Sequence, residues 1–414
     1  MKFHFPKINV LQYLHLCWVL LLLSFRPAIL GTDYNRLVLL LFTGVTLLIM
    51  YLRKKDGFYF KTKKLTFYCV LLTQLYFLVQ GLILSDATKD VVNSSFVVFV
   101  TCFCIFFIIR KLESRNFVLQ QFIYVHFVIG ISFFITLLIL LFYRLELPPF
   151  LILARLFTYS KGFDDIPSHF LVFPFTFFWS GVTLGSIELP RYVGLYREPG
   201  VAQIYFCTAF FMSYFVKLKR KLLIRCVLLT CIFFLFSTAG YLSMMMGFVA
   251  FIFFNGEYLN TKLKKIVFVF AIVVTALTTL FLPDAGIFDK VESDSGKVRS
   301  ESYIRSFSAL KQNPLFGKGY FSGYKIDSNG LIASEETIGL IGVAFQIGLT
   351  GMAFYLFCWG MAFFYRSKIA TACILIPCFI TVVLSQPIYT DVIIWFLILL
   401  PVSDLKMIKN EAVT

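Results

Sequence analysis

Arg191, Arg197 and Glu198 fall within one short stretch, with Gly194 between the arginines and Pro199 and Gly200 directly after the acid. The run from Val201 to Val216 that follows is apolar and helix-like. Guanidinium groups donate in pairs and match phosphate oxygens. Proline suits the first turn of a helix, where its missing N–H costs nothing. A helix is therefore predicted to start at Pro199 and to turn its free N–H groups toward any nearby anion. Gly194 lets backbone approach a ligand closely. Glu198 is the one acid in the stretch, available as a general base or as a partner that holds an arginine in place. The same residues also fit an interfacial anchor, with arginines at headgroup level and Tyr192 and Tyr196 as belt aromatics.

A second group of cations comes later in the chain. Arg299 and Arg305 lie in a segment, 298–312, whose Tyr303, Phe307 and Leu310 recur at helical spacing. That pattern predicts an amphipathic helix on a membrane surface, with Arg305 on its polar face and Arg299 near the edge of its apolar stripe. Asn313 and Pro314 end it, and a turn containing Gly317 and Gly319 follows, again permitting close backbone approach. Its spacing is not that of a phosphate-binding P-loop. Other chemistry is harder to place. Glu292 with Asp294, and Asp164 with Asp165, read as solvated acids rather than metal ligands. His169 has no visible partner for a Ser–His–Asp arrangement. No metal or other cofactor is expected.

These groups need a scaffold, and the composition names its kind. The chain has 414 residues, of which 59% are hydrophobic and 14% charged, against about a quarter charged in soluble domains. Mean hydropathy is +0.84. An all-α polytopic membrane protein follows, one integral membrane domain over 1–414. About twelve spans are predicted: 9–25, 37–52, 65–84, 95–109, 118–142, 201–216, 222–238, 240–255, 266–282, 337–364, 369–387 and 389–403. The first is expected to be an anchor, not a cleaved signal. The seventh and eighth are joined by a tight turn around Ser237 to Gly240. The ten cysteines lie in or beside apolar runs and read as small packing residues, not as a disulfide framework or zinc site.

The net charge of +16 is not a nucleic-acid signature, because of where it sits. With the N-terminus inside, 23 of the 38 basic residues fall in inner segments together with only five acids. That is the positive-inside pattern, and it places both termini in the cytoplasm. Two long loops, 143–200 and 283–336, then lie outside and are expected to carry short interfacial helices. Loops of this length are usually functional. The apolar piece 169–185 in the first loop holds Pro174 and Gly181 and is read as re-entrant or interfacial. Within the spans only tolerated polar residues stand out, His126 and Gln203 among them. The scarcity of charge at mid-membrane depth argues against a proton-coupled carrier.

In order, spacing and side, these elements resemble the bacterial O-antigen polymerase and ligase superfamily (Wzy-type). Arg191 and Gly194 with Glu198, Pro199 and Gly200 look like its Arg-x-x-Gly…Glu-Pro-Gly element. Ser237 to Tyr241 resembles its Ser/Thr-rich hairpin. Arg299, followed by Pro314 to Gly319, resembles its arginine and "PLFGxG" element, and Gly339 to Gly342 fits the same pattern. The resemblance implies a metal-independent glycosyltransferase of the inner membrane. It would polymerise undecaprenyl-diphosphate-linked oligosaccharide units into O-antigen, capsule or exopolysaccharide, working beside a flippase and a chain-length regulator. Catalysis would then fall to Glu198, Arg191 and Arg299. The diphosphate would be held by Arg191, Arg197, Arg299, Arg305, Gly194, Gly317 and Gly319. Ligases of the superfamily carry a His-Asn pair near the end of the large loop. Here Asp327, Ser328, Asn329 and Gly330 stand at that place, which favours a polymerase over a ligase. A flippase or exporter of the lipid-linked unit is the alternative from another class.

Overall fold

A computed structural model describes residues 10–25, 35–53, 64–85, 88–110, 112–142, 152–156, 169–172, 176–184, 187–196, 199–254, 310–320, 324–326, 332–334, 339–364, 371–384 and 391–400. Eight α-helices precede the second long loop or border the first: α1 (Val10–Leu23), α2 (Asn35–Leu52), α3 (Lys64–Leu84), α4 (Thr88–Ile109), α5 (Leu112–Phe142), α6 (Pro199–Met212), α7 (Lys221–Phe234) and α8 (Thr238–Phe254). Three more follow it: α9 (Gly339–Phe364), α10 (Ile376–Leu384), entered through a π-helical turn at Thr371–Leu375, and α11 (Val392–Leu399). Each expected span coincides with one of these except 266–282, which lies outside the described residues. Among the described residues four helices are long and apolar enough to cross a membrane, within α3, α4, α5 and α9; the other described helices are shorter. Large apolar side chains remain exposed along α2, α3, α4 and α5. Such faces need lipid rather than water, and the protein is a multi-pass membrane protein.

The core follows from which helices are apolar all round. α11 buries every one of its residues, as an all-apolar helix must. It joins its neighbours through aromatic contacts: Trp395 lies 5.9 Å from Tyr355 of α9 and 6.5 Å from Phe77 of α3, and Phe396 lies 6.1 Å from Phe122 of α5. α6 is similarly enclosed, exposing only the neighbourhood of Gly200. All ten cysteines are free, and eight are buried among these helices as packing residues.

The described residues of three basic inter-helix segments share one end of the bundle. Arg53 after α2 pairs with Glu113 of α5 at 3.5 Å. The Gln120 amide donates to the Lys217 carbonyl at 2.9 Å, and the Lys219 N–H donates to the Tyr124 hydroxyl at 3.3 Å. α6 therefore runs antiparallel to α5. The ends of α3 and α5 and the starts of α4, α6 and α8 point the opposite way.

The first long loop differs from expectation. In place of interfacial helices, its described residues form an antiparallel meander: β1 (Ile152–Leu156), β2 (His169–Val172), β3 (Thr176–Leu184) and β4 (Ile187–Gly194), in that spatial order. The apolar piece 169–185, read as re-entrant or interfacial, supplies β2 and β3, with His169 opposite Trp179 and Val172 opposite Thr176. Two features of the sequence favour strands. Aromatic and β-branched residues dominate the piece, and Pro174 falls in the connection, where it removes no ladder hydrogen bond. Among the described residues the sheet is open, and hydrocarbon does not tolerate open sheet edges, which argues against its crossing the bilayer. The amphipathic helix expected at 298–312 falls outside the described residues except for Leu310 to Gln312, which are helical.

Candidate functional site

β4 carries the first arginine stretch into the bundle. Arg191 sits on β4 opposite Trp179, and Gly194 opposite Phe177. Tyr192 and Tyr196 are both fully buried, which overturns their reading as belt aromatics. The Tyr192 hydroxyl donates to the Ile129 carbonyl of α5 at 3.2 Å. The Tyr196 hydroxyl lies 2.6 Å from Nε2 of His126. Nδ1 of that ring lies 2.7 Å from the Phe122 carbonyl, which can only accept. Nδ1 therefore holds the proton and Nε2 accepts from the tyrosine. Burial pushes the Tyr196 phenol well above the ordinary tyrosine range, so it remains a donor. Its ring stacks on Tyr205 of α6, with centroids 4.0 Å apart.

These two hydrogen bonds set the depth of the stretch. α5 runs on from Ile129 to Phe142, about 20 Å further at 1.5 Å per residue. The stretch is thus recessed along the side of α5 and does not ride at its tip. Gly194 takes the left-handed conformation (φ 64°), and a Cβ there would come within 3.3 Å of Ile129. The space beside it belongs to α5. Arg197 and Glu198 lie outside the described residues. α6 begins at Pro199, as the proline predicted.

α6 then interlocks with the hairpin of α7 and α8. Gln203 is fully buried, and its amide packs against Gly240 so closely that a side chain on Gly240 would overlap it. The glycine of the Ser237–Tyr241 hairpin therefore makes room for a residue one turn after Pro199. The tight turn is held by the Tyr241 N–H donating to the Ser237 carbonyl at 3.0 Å and by the Tyr241 hydroxyl donating to the Phe233 carbonyl at 2.7 Å.

The second glycine element plugs a broken helix. α9 is interrupted at Gly348 (φ 68°, ψ 177°). A break frees backbone groups, and inside a membrane protein each must find a partner. The Pro314–Gly319 turn supplies most of them. The Lys318 N–H donates to the Phe345 carbonyl at 3.0 Å and the Gly319 N–H to the Gln346 carbonyl at 2.9 Å. In return the Pro314 carbonyl accepts from the Leu349 N–H at 2.9 Å, and the Leu315 carbonyl from the Thr350 N–H at 3.2 Å. α3 completes the joint. The Tyr76 hydroxyl donates to the Ile347 carbonyl at 3.0 Å. The Gln80 amide donates to the carbonyls of Phe316 and Gln346, and its oxygen accepts the Tyr320 N–H at 2.8 Å.

Gly317 and Gly319 are therefore close to protein, not to open space. A Cβ on Gly317 would fall 2.5 Å from the Phe345 oxygen, and one on Gly319 2.8 Å from the backbone of Leu84 and Ser85. Their N–H groups donate to Asn313 and Gln346 carbonyls. Of the residues expected to grip a diphosphate, the structure thus describes Gly194, Gly317, Gly319 and the backbone of Arg191. Arg299 and Arg305, like Arg197 and Glu198, lie outside the described residues. Neither arginine element is seen against the other.

The turn of the hairpin and the break in α9 both lie in one matched region. Residues 222–356 match the family model Wzy_C, O-antigen ligase. The expected resemblance to the O-antigen polymerase and ligase superfamily holds over that stretch, which contains Ser237–Tyr241, Arg299, Pro314–Gly319 and Gly339–Gly342. The Wzy_C match carries a role in surface polysaccharide assembly and an enzymatic activity of the polymerase or ligase kind, with lipid-linked glycan as the substrate class. No curated protein and no solved structure is significantly similar to the chain. The sequence did not single out Tyr76, Gln80 or Gly348. Gln80, like Gln74, is a buried amide in an apolar span, and such a residue is a signal that polar groups elsewhere need a partner.

Proposed function

We propose that the protein polymerises lipid-diphosphate-linked oligosaccharide units into a surface polysaccharide. One observation supports this above the others: Tyr192, Gly194 and Tyr196 of the arginine stretch are recessed against α5, just ahead of α6, which interlocks with the hairpin of the Wzy_C region. An arginine pair in a water-poor recess suits a diphosphate leaving group. Charge developing as the glycosidic bond breaks is stabilised there by fixed donors that need no reorganisation. Arg191 and Arg197 on one element, and Arg299 and Arg305 on the other, take that role. Glu198 accepts the proton of the attacking hydroxyl. Gly194, Gly317 and Gly319 act by docking their loops on α5, α9 and α3, since the glycine N–H groups of the second turn already donate within the protein.

The basic end of the bundle faces the cytoplasm in this reading, and the recess opens on the opposite side, where a flippase delivers its product. A ligase is the second reading, supported by the match to an O-antigen ligase family over 222–356. The absence of a histidine around Asp327 to Gly330 disfavours it. Replacing Arg191 or Arg299 by alanine is expected to reduce elongation about 10²–10³-fold. Cells would then show single-unit surface glycan without a ladder. Loss of all surface glycan in these variants would favour the ligase or a flippase, and an unaltered ladder would remove the arginine site altogether.

A further inference from the structure

Gln203 is a polar group that the chemistry proposed above leaves unused. It lies one turn into α6 and is fully buried, and neither the oxygen nor the nitrogen of its carboxamide has a hydrogen-bond partner among the described residues. Gln80 shows the contrast, with its amide spent on two carbonyls and one N–H. An amide unpaired at both ends costs stability, and methionine would fill the same space without that cost. The surroundings fix where the amide sits. Its oxygen lies against Gly240 in the first turn of α8, so near that a Cβ there would overlap it. α6 and α8 both start toward the end of the bundle opposite the basic segments, so the starts of two helices, whose first N–H groups lack partners within the helix, flank the amide. Gly200 stands three residues before Gln203, hence on the same face of α6, and is the one residue of that helix that is not buried. The amide therefore lies beneath a gap in the cover of α6, about 6 Å below the helix start. With no hydrogen bond to break, it can turn toward that gap at little cost.

A carboxamide presents a donor and an acceptor side by side. A phosphate, whether free or on a lipid, offers only acceptors and would leave the amide oxygen facing oxygen. A hydrocarbon chain offers neither. Two neighbouring hydroxyls on a sugar ring offer one of each. We propose that Gln203 is a specificity-determining residue that binds a vicinal hydroxyl pair of the acceptor sugar, its nitrogen donating to one oxygen and its oxygen accepting from the other hydroxyl. This rests on the polymerase reading above and adds to it: Glu198, just ahead of α6, takes the proton of the attacking hydroxyl, and Gln203 orients the ring that carries it. A site built to pair with hydroxyls rejects a ring that lacks them, because its own buried polar groups are then left without partners. The unpaired amide of the empty site is thus the source of the selectivity, and its cost in stability is the trade that functional sites make.

The test compares full-length wild type with Gln203→Met, a substitution that keeps length and volume and removes the amide. Both are purified in detergent, melted, and supplied with the lipid-linked repeat unit isolated from cells that lack this protein. The variant should melt at or above the wild-type temperature, since an unpaired buried amide has gone, and yet elongate about 10- to 100-fold more slowly. A stabilised but slow enzyme is a result that a packing role does not give. Elongation at the wild-type rate overturns the proposal, leaving the amide with nothing but water to bind, while the polymerase reading stands. A lower melting temperature, or failure to fold, overturns it too and makes Gln203 a packing residue. If wild type itself forms no ladder from the repeat unit, the polymerase reading falls and this inference falls with it.

Discussion

His126 and Tyr196 show how a single polar pair inside an apolar bundle can place a reactive segment. The imidazole accepts the tyrosine proton because its other nitrogen already donates to the Phe122 carbonyl. Tyr196→Phe keeps the stack on Tyr205 and removes only the hydroxyl, leaving Nε2 buried without a donor. The expected cost is about 1–3 kcal/mol, seen as a lower melting temperature in detergent. Glycan elongation should fall with it, because Arg197 follows Tyr196 directly. Unchanged melting would show that the pair does not hold the stretch. Part of this was legible in the residues. His126 stood out as a polar residue in a span, and Pro199 located the start of α6. The burial of Tyr192 and Tyr196 was not legible, because a tyrosine beside arginines at a span end has the composition of an interfacial belt. Only the contact with α5, some seventy residues earlier in the chain, distinguishes the two.

At the scale of elements, α9 and its plug form the least expected structure. The motif at 314–319 suggested glycines bared for a ligand, whereas the glycines admit the backbone of α9 and α3. Sequence alone could not separate these, since close approach to a ligand and close approach to protein impose the same demand on the residue type. Gln80→Leu should leave the Phe316 carbonyl and Tyr320 N–H without their partner and weaken the joint by about 1–3 kcal/mol. Proteolysis near Asn313 should accelerate in the variant while α3 and α9 stay protected. Gly317→Ala should be harsher, combining about 1–2 kcal/mol for a left-handed alanine with overlap on the Phe345 oxygen. Its expected readout is loss of the folded fraction in detergent. Cleavage near Asn313 at the wild-type rate in both variants would show that the turn is not anchored through these contacts. The β meander at 152–194 is the other departure: a short apolar run admits strand, helix or re-entrant readings, and pairing with neighbours decides among them.

For the whole molecule, the apolar runs read from the sequence correspond to described helices in all but one case. The proposed sidedness rests on charge and connectivity together. Arg53, Glu113 and the 217–219 link share one end, and α6 runs opposite to α5. Reporter fusions at Lys219 and Asn313 should therefore report opposite sides of the membrane, with Asn313 external. The same side for both would break the proposed access of a flipped lipid to the recess.

The central claim is that arginines on two elements stabilise a departing lipid diphosphate during polymerisation. The most direct measurement is glycan elongation by purified protein supplied with a lipid-linked repeat unit, comparing wild type with Arg191→Ala and Arg299→Ala. The account predicts a ladder of products with wild type and a rate about 10²–10³-fold lower with either variant, at unchanged melting temperature. Wild-type ladders from both folded variants would contradict it.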